Sequence, residues 1–215
     1  MAKVIEGLTL GLSGSLGNMT ISRQKDGTST AKQKNKKSDK PRTLGQLANS
    51  QNTTVISVFS KVIKEFVKVG FALQAKREKI NDPFNSMVKH VRANALTGVY
   101  PERSVDLTRV LITKGTMPGP EDITVSLNEF GLLFTWNPET NIDGAHYTDQ
   151  VMMVAHFPDL GKAKFKTAGS ERYTGKDLLS LTGIKRGNTA DIFISFIAND
   201  HSSISDSVYL GKITW

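Results

Sequence analysis

The residues of this 215-residue chain best suited to acid–base or metal chemistry are four histidines, His90, His146, His156 and His201. None lies three or four positions from another, and the chain has no cysteine, so thiolate sites and disulfides are excluded. A metal site needs convergent ligands, and this spacing supplies none. Each histidine is therefore expected to be packed or solvated. No Gly-x-Ser-x-Gly elbow occurs. The stretch Gly169–Asp177 is an imperfect phosphate loop. It has one residue too many between Gly169 and Gly175, and Asp177 stands where a magnesium-binding hydroxyl is needed. Gly11, Gly14 and Gly17 do not make a dinucleotide fingerprint, because no alternating strand–helix pattern surrounds them. The acidic residues Glu139, Asp143 and Asp149 lack calcium-loop spacing and are expected to form a solvated acidic loop. No catalytic, cofactor-binding or metal-ligating residue is assigned, and the expectation is a protein that is not an enzyme and carries no cofactor.

Charge is the feature with functional weight. Lys plus Arg number 28 against 20 Asp plus Glu, a net +8. Residues 1–100 hold 17 basic and 6 acidic residues, whereas residues 101–215 hold 11 and 14. The basic front centres on Lys32, Lys34, Lys36, Lys37, Lys40 and Arg42, with Arg23 and Lys25 just before them. Lysines near phosphates release counterions and give salt-dependent affinity, so these eight residues are candidate contacts to phosphate or to a partner. Residues 1–42 contain no aromatic side chain to stack a base, and no recognition-helix motif follows them. An acidic surface on a neighbouring copy would suit the same charges. Both readings stand at this level.

The elements that must carry these residues follow from periodicity and punctuation. Residues 1–41 read as a glycine-rich basic arm, with a hairpin turning at Asp26-Gly27. Its strands are too polar to form a core alone, and a lone hairpin is marginal in water. Gly11, Gly14, Gly17 and Asn18 are read as a segment that packs closely in an assembly. Residues 42–100 read as a helical hairpin. Thr43 is placed to cap a helix over 43–70, with apolar positions at Leu44, Leu47, Val55, Val58, Val62 and Phe66 and a second stripe at Ile56, Phe59, Ile63 and Val67. Gly70 is positioned to stop it, and residues 75–82 read as a charged connection. Asp82 and Pro83 open a second helix over 82–97, burying Phe84, Met87, Val88, Val91 and Ala95, with His90 on its polar side and Gly98 placed to end it.

From residue 101 the pattern changes to short strands. Val105–Thr113 reads as a strand and Met117–Pro120 as a linker. Alternation then predicts strands around Ile123–Leu127, Leu132–Trp136, Val151–Phe157, Ala163–Thr167, Leu178–Leu181, Asp191–Ile197 and Val208–Ile213, with a turn at Asn128–Gly131. Such a series argues for an antiparallel sandwich. With the inward Trp136 and no cysteine pair, residues 101–215 resemble a fibronectin type III-like or other immunoglobulin-like domain. The expected class is α+β: an N-terminal β-hairpin arm, a two-helix hairpin and a C-terminal antiparallel immunoglobulin-like β-sandwich.

The order of motifs carries a second resemblance, across nearly the full length. It rests on Gly11-Leu12-Ser13-Gly14-Ser15-Leu16-Gly17-Asn18, the basic hairpin, and Pro41-Arg42-Thr43-Leu44-Gly45-Gln46-Leu47-Ala48 opening a helix. The run Val110–Gly119 follows the second helix, and Ser195–Asp200 and Ser207–Gly211 close the chain. Together these are similar to an uncharacterised Bacteroidota family of unknown function. The resemblance implies an architecture and a host phylum, and it transfers no activity or site residue. Two functions of different classes follow. The first is a non-enzymatic, self-assembling structural protein whose arm makes contacts between copies, with a homo-oligomer or another protein as partner. The alternative is a nucleic-acid-associated protein that binds phosphate nonspecifically through the arm and first helix. No apolar run approaches the roughly 20 residues of a membrane span. Glycines interrupt the start, so no cleavable signal peptide is expected, leaving a cytoplasmic address or signal-independent export.

Overall fold

In the computed structural model, which describes residues 2–4, 13–24, 27–35, 40–138 and 142–215, the chain divides into two compact units, Met1–Arg42 and Thr43–Trp215. Helices and antiparallel sheets together place it in the α+β class.

The first unit corrects the expectation of a two-stranded arm. Its strands β1 (Ala2–Val4), β2 (Gly14–Leu16), β3 (Met19–Arg23) and β4 (Ser29–Gln33) form a four-stranded antiparallel sheet in the order β1-β4-β3-β2. Gly17 and Asn18 make the two-residue turn between β2 and β3, with Gly17 at φ 54°. Glycine at the first central position suits a primed hairpin turn, because it takes a positive φ without a Cβ clash. Directly opposed residues share a face. Leu16 pairs with Met19 and Ile21 with Ala31, which gives one face of the sheet an apolar character. Thr20 opposes Lys32 and Ser22 opposes Thr30, so the other face is polar.

The second unit begins where Thr43 accepts a hydrogen bond from the Gln46 backbone while the Gln46 side chain accepts from the Thr43 N–H. This reciprocal cap starts α1 (Leu44–Ser60). A 3-10 turn over Lys61–Ile63 interrupts the expected single helix, and α2 (Lys64–Gly70) follows. Gly70 does not stop the helical run, since α3 (Ala72–Arg77) begins two residues later and takes in part of the expected charged connection. Gly70 serves a close approach instead: a Cβ there would lie 2.6 Å from the Ile112 carbonyl oxygen, and Lys114 donates its backbone N–H to Gly70. Asp82 caps α4 (Pro83–Asn94) by accepting from the Phe84 N–H. The helix ends before Gly98, whose φ of 75° lies in the loop between β5 (Leu96–Thr97) and β6 (Ser104–Val105).

Two expectations for residues 105–120 are corrected. Val105–Thr113 is not a strand, because Asp106 accepts from Thr108 and starts a 3-10 turn over Leu107–Arg109. The stretch after it is stitched to residues 204–207 through Ile112 N–H to Ser207 Oγ, Thr113 Oγ1 to the Ser205 carbonyl and Met117 N–H to the Ile204 carbonyl. Met117 is buried and forms a parallel bridge with Ser205, so Met117–Pro120 is docked rather than a free linker.

Seven strands complete the unit: β7 (Thr124–Asn128), β8 (Gly131–Thr135), β9 (Gln150–Phe157), β10 (Lys162–Lys166), β11 (Lys176–Ser180), β12 (Thr189–Ile197) and β13 (Val208–Thr214). They form two antiparallel sheets, β10-β9-β12-β13 and β11-β8-β7. Leu132, Phe134 and Trp136 point inward as their alternation predicts, whereas Leu127 is exposed. One core joins these three to Val151, Met153, Ala155, Phe157, Ile192, Ile194 and Phe196. A second core joins Met152, Val154, Phe193 and Ile197 to Ile56, Phe59, Phe66, Phe71, Met87 and Val91 of the helical segments. The four-stranded sheet is thus covered by helices on one face and by the three-stranded sheet on the other.

Gly131 marks the tightest point between β8 and β11. A Cβ there would sit 2.0 Å from the Leu179 carbonyl oxygen, a backbone atom held in the ladder. Gly131→Ala is expected to destabilise the protein by about 1–3 kcal/mol, the usual cost of overpacking. A lowered midpoint in urea at unchanged m-value checks this; an unchanged midpoint contradicts it.

Candidate functional site

The expected basic contact surface does not gather on one side of the first sheet. Arg23 opposes Ser29 on the face of Ile21, whereas Lys32 opposes Thr20 on the other face. Both are exposed. Lys34 follows β4, and its ammonium donates to the Gly17 carbonyl at 3.0 Å while its backbone N–H donates to Asn18. Lys40 and Arg42 are exposed at the junction with α1. Lys25, Lys36 and Lys37 lie outside the described residues, as does Gly11 of the expected assembly segment. Gly14, Gly17 and Asn18 are exposed in β2 and its turn.

Among the described residues, that edge has no strand paired on its outer side. All three residues of β2 are exposed, with Leu16 at 69%, and Met19 opposite it is 45% exposed. Leu16 and Met19 flank the two-residue turn, so they form the hydrogen-bonded pair, and Ser15 opposite Thr20 is the non-bonded one. The Ser15 N–H and C=O therefore point away from β3 along the open edge. No proline, charge or bulge protects this strand.

In the second unit, two buried polar nodes dominate. The first corrects the expectation of a solvated acidic loop at Asp149, whereas Asp143 is exposed as expected. Asp149 is buried, and its Oδ2 accepts from Arg172 Nε at 3.2 Å and from the His146 backbone N–H at 2.8 Å. Arg172 is equally buried. Its Nη2 donates to the Pro118 carbonyl at 2.9 Å, and its guanidinium lies 3.9 Å from the Phe196 ring centroid. Trp136 Nε1 donates to the Arg172 carbonyl at 2.8 Å. Burial pushes the Arg172 guanidinium down from its ordinary value, and the Asp149 charge and hydrogen bond work against that shift. Glu139 lies outside the described residues.

The second node lies where the helices meet the sheet. Tyr209 donates its hydroxyl to Asp191 Oδ1 at 2.9 Å, and Asp191 Oδ2 stands 3.8 Å from His156 Nδ1. Phe59 of α1 meets the His156 ring edge-on at 5.1 Å. A small apolar pocket of about 250 Å³ opens beside it, lined by Val55, Val58, Phe59, Val105 and Leu107. Burial raises the Asp191 carboxyl, but His156, the Tyr209 hydroxyl and the Lys212 charge outweigh it and hold it below the ordinary carboxylate value. Burial and the Asp191 carboxylate push the Tyr209 phenol up to about 12. The remaining histidines are dispersed. His90 is half-buried against Phe71, not on a solvated side, and burial with the Lys114 charge lowers it. His146 Nδ1 lies 2.7 Å from Thr148 Oγ1. Among the described residues, no three His, Asp or Glu side chains converge as a metal site. Asp177, in the rejected phosphate loop, accepts from Lys166 at 2.8 Å and from the Ser170 N–H, an ion pair across the loop that it closes.

The order of these features along the chain matches a known family over residues 11–211. The protein belongs to DUF6266, a family of unknown function. No curated protein and no solved structure matches the chain. For this DUF6266 protein the sequence contains a signal for the second node that spacing alone does not decode. His156 and Asp191 are polar residues inside otherwise apolar strands, and such residues require partners.

Two outcomes test the nodes. Asp149→Ala strands a buried guanidinium and is expected to cost about 3–5 kcal/mol; a loss below 1 kcal/mol by chemical denaturation would remove the node's structural role. Tyr209→Phe removes a hydrogen bond to a carboxylate and is expected to cost about 1.5 kcal/mol near neutral pH. Because the folded phenol titrates at about 12, above its ordinary 10, its contribution is complete below pH 10 and is lost as pH rises toward 12. Melting from pH 9 to 12 should show a steeper alkaline loss in the parent than in Tyr209→Phe.

Proposed function

We propose that this protein is a non-enzymatic, self-assembling structural protein whose N-terminal sheet joins one copy to the next by strand addition at β2. The observation that carries this reading is the β2 edge, which no described strand covers, with the Ser15 backbone groups directed outward and Leu16 and Met19 exposed beside it. An edge of this kind is a template for another strand, and alternate side chains set its register. Residues 1–42 hold nine Lys and Arg against three Asp and Glu, while residues 101–215 are net acidic, which favours head-to-tail contact.

The strand order supports a scaffold role for the second unit. Counted from β7, the sheets run 5-2-1 and 4-3-6-7. This is the order of a fibronectin type III-like sandwich, with Trp136 in the core as such a domain has it. On this reading α1–α4 form a helical layer laid on that sandwich. The non-enzymatic part of the reading draws support from the two polar nodes, in which Arg172 pairs with Asp149 and Tyr209 donates to Asp191.

The nucleic-acid alternative ranks below assembly because Arg23 and Lys32 occupy opposite faces of the sheet and the Lys34 ammonium engages Gly17. Multi-angle light scattering on the full chain at about 10–100 µM tests the assignment. Assembly is expected for the parent. Ser15→Pro, which removes an outward N–H and leaves the β3 ladder intact, should give a monomer with the parent's melting curve. Assembly by Ser15→Pro equal to the parent, or a parent that stays monomeric, overturns the proposal. Replacing Lys32, Lys34, Lys36 and Lys37 by Gln should leave strand addition in place. A mobility shift on DNA that collapses with salt and with those four changes, in a protein that does not self-associate, would instead establish the alternative.

A further inference from the structure

A joining strand needs a receiving edge. The two larger sheets of the second unit offer four, β10 and β13 in one and β11 and β7 in the other. Three of these carry the devices that keep sheet edges from pairing. β10 has lysine at alternate positions, Lys162, Lys164 and Lys166. β13 is bulged, since its register on β12 shifts between Tyr209 and Lys212, and Gly211 there has φ 88°. β11 is capped from the side, because Lys166 Nζ donates to the Leu178 carbonyl at 3.0 Å and to Asp177. β7 reads Thr124-Val125-Ser126-Leu127-Asn128, with no charge, proline or register shift. Among the described residues no strand pairs with its outer side, and Leu127 is 58% exposed.

The ladder fixes which backbone groups of β7 face outward. Asn128 and Gly131 close a two-residue turn and form a hydrogen-bonded pair, so alternation makes Ser126 with Leu133 and Thr124 with Thr135 bonded pairs as well. The other side of β8 agrees, since Trp136 donates its N–H to Gly175 and Leu181 donates to Phe130. Even-numbered residues there bond toward β11 and odd-numbered ones toward β7. Val125 and Leu127 therefore direct their N–H and C=O groups away from β8.

Charge selects the occupant. Glu121 and Asp122 precede β7 and Glu129 follows it, all exposed, with Arg186 bonded to the Glu129 backbone carbonyl. β2 is flanked by bases instead. Arg23 lies two residues past Ile21, the partner of Gly14, and Lys34 donates to Gly17 at the other end. Acids at both ends of one edge and bases at both ends of the other attract, whereas β2 against a second β2 brings like charges together.

Side chains select the direction. In a parallel pair, Ser15 would donate to the Val125 carbonyl and accept from the Leu127 N–H, which sets it opposite Ser126. Leu16 then lies beside Leu127, two exposed apolar side chains on one face. An antiparallel pair would set Ser15 opposite Val125 or Leu127 and Leu16 opposite Thr124 or Ser126.

We propose that β7 of one copy receives β2 of the next as a parallel strand, with Ser15 opposite Ser126. This pairing rests on β2 being the joining strand and names the surface that it joins.

The chain has no cysteine, so an engineered cross-link reports on this contact alone. Ser15→Cys and Ser126→Cys, mixed and mildly oxidised, should give a covalent dimer of one of each, because opposed Cα atoms on neighbouring strands lie about 5 Å apart, within disulfide reach. Either variant oxidised alone should give far less. By light scattering, Leu127→Pro, which removes an outward N–H and leaves the β8 ladder intact, should be a monomer with the parent's melting curve. Mixed with Ser15→Pro it should form dimers that grow no further, since each pair keeps one intact β2 and one intact β7. The cross-link decides if Leu127→Pro lowers the melting point. A parent that stays monomeric removes strand addition at β2 and this pairing with it. With an assembling parent and a monomeric Ser15→Pro, β2 stands as the joining strand. If Leu127→Pro then assembles like the parent and Ser15→Cys does not cross-link to Ser126→Cys, β7 is not the receiver. Cross-linking of Ser15→Cys to Leu127→Cys in place of Ser126→Cys overturns the parallel register.

Discussion

Two strands, β9 and β12, must be buried on both faces at once. From Val151 to Phe157 and from Ala190 to Ile197 every residue is buried. Strand side chains alternate, so neighbouring residues serve opposite cores. Met152, Val154, Phe193 and Ile197 meet the helices, while Val151, Met153, Ile192, Ile194 and Phe196 meet the second sheet. A strand pair of this kind reads as a continuous apolar run and is unstable unless both sides are covered. The helices are therefore part of the same folding unit as the strands that follow them.

Burial on both faces also explains the polar nodes. A carboxylate in such a strand needs partners, and Asp191 obtains them from Tyr209 on the neighbouring strand and from His156 directly across the ladder. Beside the other end of β9 Arg172 does the equivalent for Asp149, and it also ties down Trp136 and the Pro118 carbonyl. Through Asp149 the same pair also holds the His146 backbone N–H.

The first unit obeys a different logic. Its four strands leave β1 and β2 at the edges, and among the described residues no strand pairs with the outer side of β2. Where the second unit closes its most apolar strands between two layers, the first presents a strand edge beside exposed Leu16 and Met19 that no described strand covers. Membership of DUF6266 extends across both units, since the match begins at residue 11.

Local chemistry made much of this legible from the sequence. Thr43 and Asp82 are caps, Pro83 fits a first helical turn, and Leu132, Phe134 and Trp136 alternate inward, because capping and side-chain period act within a few residues. What the tertiary structure decided is every pairing between distant segments. Gly70 carries the signal of a helix stop but answers to the Ile112 carbonyl, and Val105–Thr113 has strand composition but bonds to Ser205 and Ser207. Asp149 reads as a solvated acid until Arg172, 23 positions later, is brought beside it. Arg23 and Lys32 belong to one basic front in sequence, yet register puts them on opposite faces. The reason is common to all four. Burial and register depend on which remote backbone lies alongside, and no local propensity encodes that neighbour.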